Sequence, residues 1–169
     1  MRHEIITMGS AVIDAFIDTG IPEIHKKMCY DVGTKISVKD LKFSTGGGGT
    51  NTAVAFSRLG MKTGFLGKLG KDANSQIILS ELKKEKVDFI GKKGEEATGY
   101  SVILDSIEHN RTVLTYKGAN DFLSLNEIKL NNLDSDWYYF SSMTGESHFT
   151  QEKLTEMLNK KGKKIAYNP

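Results

Sequence analysis

Residues Thr45–Gly60 read TGGGGTNTAVAFSRLG. Four glycines run into Thr50 and Asn51 and then into the apolar residues Ala53, Val54, Ala55, Phe56 and Leu59. The pattern predicts a helix from Thr50, apolar nearly all round and therefore packed on both sides. Gly60 stands where a helix-ending C′ glycine belongs. Glycines ahead of a helix permit tight turns and let a ligand touch the backbone. They also leave the first helical N–H groups open to an anion or a hydroxyl oxygen. A flexible loop with an ordinary N-cap is the plainer reading of the same residues. Two common nucleotide loops fail on spacing. The phosphate loop needs Gly-Lys followed by Ser or Thr, and Gly67-Lys68 is followed by Leu69. The dinucleotide fingerprint needs a third glycine where Thr52 stands.

Outward from the glycines, EIITMG is a β-branched run ending at Gly9, a first strand. VIDAFID continues it or forms a second strand, residues 20 to 40 are irregular, and VKDLKFS is a strand leading into the glycines. After Gly60, KTGFLGKLG is a strand and a loop. DANSQIILSELKKEKV is an amphipathic helix with Asp72 as N-cap and Ile78 and Leu82 on one face. Residues 98–120 hold two alternating runs joined by a turn over Asp105–Asn110, an antiparallel hairpin. A short helix near Leu125–Leu130, a strand WYYFS, a helix TQEKLTEMLNKKG and a strand KKIAYN complete the chain. This order predicts an α/β domain: a parallel sheet with flanking helices plus an inserted small antiparallel β lid. The chain stops just after a strand, where open α/β sheets normally continue into a ligand-binding loop, so it reads as truncated.

Bulk properties set limits. The 169 residues suffice for one domain with a real core. A net charge of +2 gives no reason to expect a nucleic-acid or membrane partner, and the short lysine clusters suit solvated faces and helix C-termini. One cysteine, Cys29, excludes an internal disulfide and favours a reducing, cytoplasmic setting. The four histidines are scattered without zinc spacing, so no metal site is expected.

The glycine run fits a further pattern. Gly46-Gly47-x-x-x-Asn51-x-Ala53, Arg58-Leu59-Gly60 and Gly67-Lys68-Leu69-Gly70-x-Asp72 together resemble the first signature of the PfkB, ribokinase-like carbohydrate kinases. Gly9-Ser10 with Asp14, Thr98-Gly99 opening the hairpin, Gly118-Ala119-Asn120 closing it and the terminal Asn168-Pro169 extend the match over almost the whole chain. Only the N-terminal half of the family pattern is covered. Residues 1–169 then form a partial ribokinase-like α/β domain with lid strands from about 10–45 and 97–120. The C-terminal ATP-binding half is absent.

The resemblance implies a kinase that moves the γ-phosphoryl of ATP, with Mg²⁺, to a sugar or nucleoside hydroxyl. Asp14 would accept two hydroxyl protons, and Asn51 offers both a donor and an acceptor. Gly46 and Gly47 would bring the backbone against the sugar, Tyr100 or Val102 would supply an apolar wall, and Asn168 would lie near the phosphate path. Lid sheets in the family also pair between subunits, implying a homodimer. The family's catalytic Gly-Ala-Gly-Asp and its Asn-x-x-Glu are missing from these residues, which therefore hold no catalytic group. Phosphoryl transfer rests on positioning and electrostatics, so the chain alone is expected to be inactive. The alternative is a non-catalytic polyol-binding or dimerisation module. Position 12 is Val where ribose-type members carry a polar residue, which leaves the sugar open.

Overall fold

In the computed structural model, which describes residues 2–169, β1 (Ile5–Met8) lies between β10 (Trp137–Ser141) and β4 (Thr63–Leu66), parallel to both. All four β1 residues are buried, which is why a strand covered on both faces reads as a continuous apolar run. β11 (Lys164–Asn168) and β6 (Asp88–Phe89) extend the sheet to the order β11-β10-β1-β4-β6. One face packs Ile6, Met8, Leu66, Phe140 and Leu154; the other packs Ala53, Phe65, Ile78 and Leu82.

The helices are α1 (Gly48–Arg58), α2 (Ala73–Lys84) and α3 (Gly145–Lys160). α1 begins two residues before Thr50 and is not packed on both sides. Only Gly49, Thr50 and Ala53 are buried, and Leu59 is 79% exposed. A helix laid on one sheet face has only one stripe to bury, whatever its composition. Gly60 does end it: at φ 90° the Gly60 N–H reaches Ser57 O and the Met61 N–H reaches Phe56 O, a Schellman closure. Gly162 closes α3 in the same way, whereas α2 closes with Lys86 in the left-handed region at φ 57°. The helix expected near Leu125–Leu130 is two short 3₁₀ turns, Leu125–Glu127 and Leu130–Asn132, and α3 starts five residues earlier than its apolar pattern suggested.

The lid is a second sheet in the order β3-β2-β8-β9, built from β2 (Val12–Asp18), β3 (Asp40–Gly46), β8 (Gly99–Asp105) and β9 (Arg111–Tyr116). It is mixed rather than antiparallel. β2–β3 and β8–β9 are antiparallel hairpins, but β2 and β8 pair in parallel because both enter the lid from the same end. A two-strand pair, β5 (Lys68–Leu69) with β7 (Lys92–Lys93), ties the loop after β4 to the approach to the lid. Among the described residues no helix is long and apolar enough to cross a membrane.

Candidate functional site

The sheet reverses its winding between β1 and β10: β4 and β6 follow on one side, β10 and β11 on the other. Ligands of open parallel sheets bind beyond the carboxyl ends of the strands at such a reversal. Gly9 and Ser10 lie beyond β1, Ser141 ends β10, and Asn168 stands in register with Ser141 on β11. Gln151 of α3 holds Ser141 by donating to its carbonyl at 2.9 Å.

The tetraglycine turn is pressed onto this point, and the fit explains its composition. A Cβ on Gly48 would come within 2.7 Å of Ser141 Oγ, and one on Gly49 within 2.7 Å of both Gly9 C and Phe65 Cε2. Gly47 sits at φ 106° against the Ser10 carbonyl. The first helical N–H groups are not open to a ligand, contrary to the sequence expectation. Gly48 N–H donates to Ser10 Oγ (3.1 Å), and Gly49 and Thr50 N–H donate to Ser10 O (3.0 and 3.3 Å). Ser10 thus caps α1 from a distant segment, and the glycines are there to let two backbones touch.

What remains open is polar. A Cβ on Gly46 would fall inside the Asp14 carboxylate, so that carboxylate lies directly over the Gly46 backbone. Among the described residues the half-buried Asp14 makes no side-chain hydrogen bond or ion pair. Neither does the exposed Asn51, whose backbone N–H bonds Gly47 O at 2.9 Å on the first turn of α1. Asp14 thus lies against Gly46, and Asn51 is tied through its backbone N–H to the adjacent Gly47.

Tyr100 and Val102 are not brought to it. The lid register pairs Ile13 with Tyr100, Asp14 with Ser101 and Ala15 with Val102, so Tyr100 and Val102 project from the face opposite Asp14. The residues that share its face are Ser101 and Ile103. Alternation within β8 separates the two sets but does not say which one faces Asp14; only the pairing does. Asn168 reaches the carboxyl edge of the sheet and is exposed there.

Two further groups position the site. Asn120 is 2% exposed; its Oδ1 accepts from Ala11 N–H (2.8 Å) and its Nδ2 donates to Ala11 O (3.0 Å) and Lys117 O (2.9 Å). It clamps the point where β1 passes into the lid, three residues before Asp14. Asp72 caps α2 through Ser75 N–H (2.8 Å) and also accepts from Thr98 N–H and Thr98 Oγ1, both at 2.7 Å, fixing the approach to β8. Burial pushes the Asp72 carboxyl up, but the hydrogen bonds from Thr98 and Ser75 outweigh it and hold the group below the usual carboxylate range. Lys68, in the quoted Gly67-Lys68 pair, is buried. Its Nζ lies 2.9 Å from Phe122 O, 3.1 Å from Glu127 Oε1 and 3.4 Å from Glu96 Oε2, so its charge is neutralised internally. Among the described residues no three His, Cys, Asp or Glu side chains converge.

A reversed-winding parallel sheet with a β lid is a ribokinase-like α/β fold. Residues 2–169 match the pfkB family of carbohydrate kinases, and the chain belongs to that family. It is 29% identical over 123 residues to a ribokinase of Staphylococcus aureus, covering 71% of this chain and 38% of that one. A ribokinase of Haemophilus influenzae is 26% identical over 172 residues, matching 100% of this chain and 54% of its own length. Arabidopsis thaliana ribokinase, solved with ribose and ATP, superposes with a TM-score of 0.79 at 22% identity, over 99% of this chain and 53% of that one. Cryptococcus neoformans ribokinase, solved with ADP, does so with a TM-score of 0.74 at 25% identity, over 98% and 49%. The chain therefore spans about half the length of these relatives or less.

Proposed function

We propose that this chain is the acceptor-binding half of a cytoplasmic, ATP- and Mg²⁺-dependent kinase that phosphorylates a hydroxyl of a sugar or nucleoside. One observation carries the reading: among the described residues the Asp14 carboxylate lies unpartnered over the bare Gly46 backbone, next to the Gly47 carbonyl that the exposed Asn51 bonds through its N–H. The carboxylate accepts two adjacent hydroxyl protons, Asn51 donates to or accepts from a third hydroxyl, and the Gly46–Gly47 backbone excludes water from the ring. Asn168 stands toward the phosphate path. Gly-x-Gly-Asp does not occur in the 169 residues, so this chain binds an acceptor without phosphorylating it.

Isothermal titration calorimetry with D-ribose, D-fructose, D-gluconate and adenosine tests the proposal. Charge-assisted hydrogen bonds contribute about 1.5–3 kcal/mol each, so Asp14→Ala weakens the bound acceptor at least about tenfold. Binding that survives Asp14→Ala unchanged, or no binding by any of the four, sinks the reading.

The lid's other face favours self-association. Leu41 and Phe43 on β3 and Leu114 and Tyr116 on β9 are exposed there on the two edge strands of the lid, apolar residues that a second copy would cover. Sedimentation velocity would then give a dimer, converted to monomer by Phe43→Ser with Leu114→Ser.

A further inference from the structure

The parallel sheet is finished at β1 and unfinished at β11. Ile165 and Tyr167 of β11 share the face of Tyr138 and Phe140, against which α3 packs Leu154 and Leu158. Trp137, Tyr139, Lys164 and Ala166 lie on the opposite face, which α1 reaches through the edge-on contact of Phe56 with Tyr139, 5.7 Å between ring centres. Trp137 is 43% exposed on that face, and Lys164 and Ala166 beside it are exposed too. Lys164 Nζ stands 5.0 Å from the Trp137 ring centre. Among the described residues β11 pairs with β10 alone, so its outer edge is open. Beside that edge, on the α3 side, a mostly apolar hollow of about 460 Å³ is lined by Phe140, Gln151, Ile165 and Tyr167, the last 54% exposed.

Parallel strands are found with both faces covered, and an open edge is a template for another strand. A lone helix laid over Trp137 and Ala166 would leave the edge open. A second copy pairing along β11 would close the edge and leave Trp137 bare. A strand added parallel to β11 together with a helix closes both, and a side chain of that strand fills the hollow beside Tyr167. The matching ribokinases indicate what carries such a unit. This chain accounts for 54% of the Haemophilus influenzae protein and 53% of the Arabidopsis one, so each has nearly as much chain again. Resting on the acceptor-half reading above, we propose that this surface docks a separate polypeptide, the nucleotide-binding half of a kinase of this family. One strand of that partner runs parallel to β11, and one of its helices covers Trp137, Tyr139 and Ala166.

Co-expression of the full chain with the C-terminal half of Haemophilus influenzae ribokinase tests this. Sedimentation velocity on the purified material gives a one-to-one complex. Hydrogen exchange read by mass spectrometry shows the β11 amides of this chain slowed tenfold or more in the complex relative to the chain alone. Ala166→Glu places a charge on the covered face and weakens the complex at least tenfold, whereas Phe43→Ser, on the lid, leaves it within twofold. Circular dichroism melts confirm that each variant is folded, and Tyr167→Lys, on the other face of β11, takes the place of Ala166→Glu if that variant is not. Failure to form the complex overturns the proposal, as does a complex indifferent to both β11 variants. Equal protection of β11 in the chain alone, at concentrations where it self-associates, also overturns it and makes a second copy the occupant. Calorimetry with the four acceptors above is run on the uncomplexed chain, so loss of the acceptor reading and loss of the docking face are separate results.

Discussion

Asn120→Ala removes the clamp on Ala11, and the structure allows its cost to be worked out. The Ala11 N–H and C=O each bond to the Asn120 amide, at 2.8 and 3.0 Å, and Ala11 is wholly buried. Water cannot replace the lost partner. A buried backbone group left unpaired costs about 1–3 kcal/mol, and here there are two, with Lys117 O losing a donor as well. The truncation also empties space beside Gly99, whose missing Cβ would have met Asn120 Nδ2. The sum is about 3–5 kcal/mol, a large part of the roughly 5–15 kcal/mol that holds a domain folded. Urea denaturation followed by circular dichroism measures it as a lower midpoint with an unchanged slope. Asn120→Asp sharpens the test. A carboxylate there keeps the acceptor for Ala11 N–H but faces the Ala11 and Lys117 carbonyls without a proton. Its pKa in the folded state is therefore raised, and the variant is relatively most stable at low pH and loses that stability as pH rises through the folded value. A loss below about 1 kcal/mol in Asn120→Ala, or an Asn120→Asp variant indifferent to pH, would refute the clamp.

Three further outcomes follow from local geometry. Asp72→Ala costs about 2–3 kcal/mol by thermal or urea unfolding, since a cap and two bonds to Thr98 vanish together. Because the folded Asp72 carboxyl lies below its ordinary value of 3.8, its contribution is full above that pH and fades as pH falls through the folded value; the acid limb of the stability profile flattens in Asp72→Asn. Lys86→Gly raises stability by about 0.5–1 kcal/mol, because an exposed residue held at φ 57° gives up its left-handed strain. Gly49→Ala lowers stability by about 2 kcal/mol or more, since the new methyl meets Gly9 C and Phe65 Cε2 at 2.7 Å and neither backbone nor core ring moves freely; a neutral result would mean the glycines are not packed as described.

Much of the architecture was legible because its signals are local. Asp72 capping α2 and Gly60 closing α1 depend on bonds within four or five residues and on one glycine torsion. The approach of Asp14 to Gly46 was implied only by the resemblance to the family pattern, since no local signal links residues 14 and 46. The over-packed reading of α1 failed because composition reports how apolar a helix is, not how many neighbours it has: Ala55 and Leu59 have no element above them. The short pairings of β6 and β7 left no periodic trace, being two residues each.

The sequence by itself determined where α1 stops and where α2 starts, because one glycine torsion and short-range hydrogen bonds set these. Only the tertiary structure decided which face each lid residue serves and who takes the helix N–H groups. Ser101 and Ile103, not Tyr100 and Val102, share the face of Asp14 because β2 pairs with a strand more than eighty residues away, and a one-residue shift in that register would turn every side chain over. Ser10 reaches α1 across 38 residues of chain, so the glycines that looked like an opening for a ligand are first of all the place where two segments of one chain meet.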